Sequence, residues 1–139
     1  MQAKTICFSF VAGLLLAVAK PAFPGVPDDI KRDFAHAVYD GSPGLVHNRN
    51  PQPMLRAVIV LNVKLDESEN WRAEVLRTND EQPEMLARAI ETVRRAPHIS
   101  LTEAAKAELR RNGLIEAWLF DNDGSFQVKT LAKAQRSGL

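Results

Sequence analysis

The chain has 139 residues, 45% of them hydrophobic, and sets 18 lysines and arginines against 17 aspartates and glutamates. A formal charge of +1 gives no electrostatic argument for nucleic acid or an anionic membrane as partner. A single cysteine excludes an internal disulfide framework, and the length suits one domain that buries roughly two-thirds of its unfolded surface.

Residues 1–19 read as an address. Met1-Gln-Ala-Lys4 is a short basic lead, Ile6 to Ala19 is an apolar run of signal-peptide length, and Ala17-Val-Ala19 offers the small residues a signal peptidase inspects. The run is short for a hydrocarbon core of ~30 Å. The expectation is cleavage after Ala19, a periplasmic location and no stable membrane insertion afterwards; an uncleaved anchor is the alternative. Cys7 lies inside the run, and Lys4 is the leader's only charged residue, whose loss leaves 17 cations against 17 anions.

Residues 20–27 are a proline-punctuated, extended lead-in. Asp28 or Asp29 can cap a helix that runs to about Asp40 and stops at Gly41, with Ile30, Phe34, Ala37 and Val38 as its stripe. A proline-rich loop over Gly41 to Pro53 leads into a strand from Leu55 to Leu65, where Leu55, Ala57, Ile59, Leu61, Val63 and Leu65 share one face. Asp66 to Asn70 is a polar turn, and Trp71 to Thr78 is the returning strand. From Pro83 the period becomes helical, with Leu86, Ala89, Ile90 and Val93 on the apolar stripe. On this reading Ile90→Asp is severely destabilising. Ser100-Leu-Thr-Glu103 has the form of a capping box for a further helix that ends at Gly113. Leu114 to Phe120, Asp121-Asn-Asp-Gly124 and Ser125 to Leu131 form a second hairpin, with Gly124 suited to positive φ. Residues 133–139 are a polar tail. The expected class is α+β: one domain over residues 28–132, with a single sheet packed by helices.

Chemistry is harder to find. His36, His47 and His98 show no ligand-like spacing. Asp121-Asn-Asp-Gly124 resembles a calcium loop only briefly, because an EF-hand needs glycine sixth and glutamate twelfth. Here glycine is fourth and Ala132 is twelfth. No serine stands in a G-x-S-x-G elbow and no glycine-rich phosphate loop is present. Trp71 and Trp118 are either core aromatics or a protein-binding pair. No cofactor or metal is called for, and the chain does not read as an enzyme.

Pro51-Gln-Pro53, Val58 to Val63, the turn Asp66–Asn70, Val75-Leu-Arg-Thr78, the helix Leu86-Ala-Arg-Ala-Ile90 to Arg94-Arg-Ala96 and the strand Ile115 to Phe120 follow in a telling order. This order resembles the C-terminal domain of TonB and TolA proteins of Gram-negative bacteria. The chain departs from that pattern in four ways. It lacks the tyrosine-proline entry, carries Asn79-Asp80 in place of serine-glycine, inserts a helix from Leu101, and has no long proline- or lysine-rich linker. The resemblance implies a cell-envelope protein as partner, bound by strand addition along a sheet edge. The edges it points to are Trp71–Thr78 or Ser125–Leu131, and the candidate residues are Trp71, Arg72, Arg77, Gln127 and Lys129. Arg72, Arg77 and Lys129 double as guards against uncontrolled pairing. A small exported hydrolase and a structural or inhibitory periplasmic domain are the alternatives. The oligomeric state stays open.

Overall fold

The computed structural model describes residues 25–79 and 81–133. The export leader 1–19, the lead-in up to Pro24, Asp80 and the tail beyond Lys133 lie outside the described residues.

β1 (Ala57–Leu65) alternates strictly. Ala57, Ile59, Leu61, Val63 and Leu65 are buried and the residues between them are half-buried, as a branched apolar run does when one face is covered. Asp66 makes the return: its Oδ1 accepts the Ser68 and Asn70 N–H groups at 2.9 Å each. β2 (Trp71–Arg77) pairs antiparallel with β1 from Leu65↔Trp71 to Leu61↔Val75. The register then slips so that Val60 faces Arg77 and Leu76 is the extra residue of a bulge. β3 (Leu114–Phe120) lies along the other side of β1, and β4 (Phe126–Val128) pairs with the end of β3. The order is β2-β1-β3-β4, antiparallel throughout. The α+β class holds, with one sheet packed by helices.

α1 (Asp28–Gly41), α2 (Pro83–Arg95) and α3 (Glu103–Arg111) cover the buried face of the sheet, where Phe34, Val38, Met85, Ala89, Val93 and Leu109 join the strand residues in one core. The cap of α1 is Pro27, so Asp28 and Asp29 fall in its first turn instead of capping it; there they face the positive end of the helix dipole. α3 opens on Thr102, whose hydroxyl accepts the Ala105 N–H at 3.1 Å. The expected box on Ser100 is displaced by two residues. Gly113 ends that helix at φ +76, and a Cβ there would meet Asn62 Oδ1 at 2.4 Å. Only glycine fits this crossing into β3.

Two expectations need correcting. The buried stripe of α2 is Met85, Ala89, Thr92 and Val93, while Leu86 is half-buried and Ile90 is 38% exposed. The cause is Trp118. Fully buried, its indole N–H donates to Thr92 Oγ1 at 2.9 Å, and the Thr92 hydroxyl donates to Ala89 O at 2.7 Å. The indole donor needs a partner, so the helix turns its threonine inward and its isoleucine outward. The second correction concerns the last strand. It is not seven residues long but three, because the chain enters a 3₁₀ turn at Lys129–Leu131.

Candidate functional site: two sheet edges

β4 forms one border of the sheet, and two of its outward backbone groups, Phe126 O and Val128 N–H, are engaged from outside it. His47 N–H donates to Phe126 O at 2.8 Å, in a parallel bridge between Val46 and Phe126, and Val128 N–H donates to the Tyr39 hydroxyl at 3.2 Å. Burial raises the Tyr39 phenol above its ordinary value, which the Val128 N–H opposes and the nearby Glu116 reinforces. Gln127 is 3% exposed. Its amide nitrogen donates to His47 O and Arg49 O, and its oxygen accepts Lys133 N–H at 3.1 Å. Gln127 is thus a clamp for the loop that lies over β4, not a surface residue for a partner. Lys129 is exposed, but it stands on the 3₁₀ turn. Where β4 stops short of β3, the buried Glu116 accepts Ala117 N–H at 2.9 Å and Thr130 N–H at 3.3 Å.

Beside this clamp the structure brings together residues that sequence spacing did not connect. His47 Nδ1 lies 2.9 Å from Asp121 Oδ2 and 2.9 Å from Ser125 Oγ. The Ser125 hydroxyl in turn donates to Asp123 Oδ1. A hydrolytic triad sets its serine and its carboxylate on opposite ring nitrogens. Here both share Nδ1. With the hydroxyl proton aimed at Asp123, Nδ1 carries the hydrogen that Asp121 and Ser125 accept. The Ser125 hydroxyl and then the Ser125 amide hold the Asp123 carboxyl below its usual range. Asp121 Oδ1 and Gln52 Oε1 exchange bonds with the Gln52 and Asn122 amides. The cluster fastens the loop 46–52 to the hairpin 121–125. The bonds between loop and hairpin join residues 69 to 78 positions apart in the chain, which is why no local motif announced it.

The opposite border is different. Asp66 N–H donates to Asn70 O, and with the register given above this phase directs the N–H and C=O of Trp71, Ala73 and Val75 away from β1. No described residue outside the sheet bonds to them. Val75 is 45% and Leu76 52% exposed, two consecutive apolar side chains at this border. Of the candidate residues, Arg72 and Arg77 are exposed on this strand. Trp71 is 6% exposed. Its ring meets Phe34 edge-on at 4.9 Å and its indole N–H donates to Pro97 O at 3.3 Å. It anchors the edge from inside and does not present itself to a partner.

The start of β2 is tied down by side chains. Asp66 Oδ2 accepts Arg72 Nε at 2.9 Å. The Asn70 amide and then the arginine hold the Asp66 carboxyl below its ordinary value. Glu69, at φ 64, is fixed by Lys106 of α3, which also holds its carboxyl low. A cavity of about 350 Å³ opens here between Asn70, Trp71, Arg72, Arg94, Ala96 and His98. His36 lines a separate, shallower hollow with Asp33 and Asp40. Among the described residues no three histidines, cysteines or carboxylates are placed to hold a metal ion, and no helix is long and apolar enough to cross a membrane.

No family model, curated protein or solved structure matches this chain.

Proposed function

We propose that this protein is an exported, periplasmic protein-binding domain. It captures an extended segment of a cell-envelope partner along the free edge of β2, as the resemblance to the TonB and TolA C-terminal domains implies. The observation that carries the reading is the state of that edge. Trp71, Ala73 and Val75 turn their backbone groups outward, and Val75 and Leu76 leave apolar surface beside them. Backbone pairing supplies affinity in such a mode and alternate side chains supply selectivity. Export rests on the composition of residues 1–19.

Site-specific photocrosslinking in the native envelope tests the reading. A crosslinker at position 76 should capture a discrete protein, whereas one at position 129, beyond the closed border, should not. Equal capture from both positions, or from neither, overturns it.

A further inference from the structure

A strand can pair with an open edge in either direction, and here one end of the edge meets a cationic cavity that distinguishes the two. α2 passes along β2 in the opposite sense. Near its start, Gln82 Oε1 accepts Arg56 Nε at 2.9 Å, just before β1 begins and so beyond the Arg77 end of β2. Near its finish, Arg94 lines the cavity with Trp71 and Arg72. Leu86, Ile90 and Arg94 follow at four-residue intervals and so share one helix flank. That flank is apolar alongside the strand and cationic at its end. Ile90, out of place in a buried stripe, is exposed on this flank of α2, and Val75 is exposed on β2, the strand that α2 passes along.

The cavity gathers Arg72, Arg94 and His98. The anions already facing them are Asp66, at 2.9 Å from Arg72, and Glu91, at 2.6 Å from Arg94. Each arginine makes its bonds with part of a five-donor fork and keeps other donors for a ligand. A segment laid antiparallel to β2 runs from beside Arg77 toward Trp71, so its carboxyl end arrives at the cavity. A parallel segment would bring its amino end to the same cations.

We infer, on the reading of β2 as a pairing edge, that the captured segment is the C-terminus of the partner protein. Its alternate apolar side chains lie over Val75 and Ile90, and Arg94 and Arg72 hold its free α-carboxylate. A carboxylate received by a guanidinium fork gains short, directional bonds, and only a chain end can supply one in line with the strand backbone.

The test presents the full chain with two display libraries of random heptapeptides, one ending in a free carboxylate and the other continued by a Gly-Ser tail. The free-ended library should be enriched, in sequences with apolar residues at alternate positions. Amidating a selected peptide should weaken it about tenfold, the equivalent of ~1.4 kcal/mol. Arg94→Gln, an exposed change that leaves the urea midpoint alone, should weaken the free acid similarly and the amide hardly at all. The Ala73 and Val75 amide resonances should shift on binding. Equal enrichment from both libraries, or a tailed library selecting Asp or Glu at the cavity, overturns the chain-end inference and leaves the edge reading standing. Free-ended binders that leave Ala73 and Val75 unmoved overturn the edge reading and this inference with it. Enrichment from neither library overturns both.

Discussion

The two borders of this sheet are built from the same backbone chemistry and end in opposite states. At β4 two outward groups have partners from far away in the chain: Phe126 O meets the loop at His47, and Val128 N–H meets Tyr39 on α1. At β2 the corresponding groups of Trp71, Ala73 and Val75 bond to no described residue outside the sheet, and apolar side chains lie beside them. A sheet border invites pairing unless something blunts it. This molecule blunts one border with a buried glutamine and a histidine–aspartate clamp. On the other it keeps arginines and a bulge, which discourage long pairing without covering the strand. The proposed binding surface rests on this asymmetry more than on any individual side chain.

The largest expected effect tests whether β2 is anchored as described. Trp71→Ala removes a buried aromatic packed on Phe34 and should cost about 3–5 kcal/mol in urea unfolding. A cost below 1 kcal/mol would mean that the open edge has no root in the core. Next, Gln127→Leu keeps the volume but strips partners from His47 O, Arg49 O and Lys133 N–H. A loss of about 2–3 kcal/mol is expected, together with faster amide exchange at His47 and Val128. If stability holds, the closed border is closed by something else.

Ile90→Asp should cost no more than about 1 kcal/mol, because Ile90 is 38% exposed and surface changes are usually small. It should nevertheless remove peptide binding at β2. A loss of several kcal/mol would restore the buried stripe expected from periodicity. The smallest effect is one of pH. Asp66 at the start of β2 and Asp123 in the β3–β4 turn both titrate below the ordinary aspartate range. A carboxyl depressed in the folded state contributes stability above its unfolded pKa, near ~3.9. That contribution is lost as pH falls through the lower folded value. The Ser68, Asn70 and Ser125 amides should therefore keep their exchange protection at pH 5 and lose it only below about pH 3.9. Loss of protection at pH 5 would contradict the hydrogen bonds assigned to the two turns.

Where local chemistry decides, the sequence was legible. The alternation from Ala57 to Leu65 predicts β1, Leu114 to Phe120 predicts β3, and Asp121 to Gly124 predicts a tight turn, with Gly124 at φ +83. The rotation of α2 was not legible, because the need for Thr92 arises only once Trp118 lies across from it. Nor was the closure of β4. Gln127 reads as an outward polar residue of a strand until the loop carrying His47 and Arg49 folds over it. The candidate site was half legible. Arg72 and Arg77 do stand on an open edge, while Trp71 and Gln127 belong to the interior. Arg94 and His98, which complete the cavity, come from a helix end and a linker that no period links to β2.

The bulge at Leu76 works as a ruler. Pairing can stay in register only from Trp71 to Val75, about 17 Å of extended chain at ~3.4 Å per residue. Three outward residues offer at most six backbone bonds, each worth roughly 0.5–1.5 kcal/mol net, against an association cost of ~4–15 kcal/mol. If β2 is the pairing edge proposed above, a dock of that length would release its passenger readily, and occupancy would follow the local supply of partner ends, renewed at each encounter and not stored in a lasting complex.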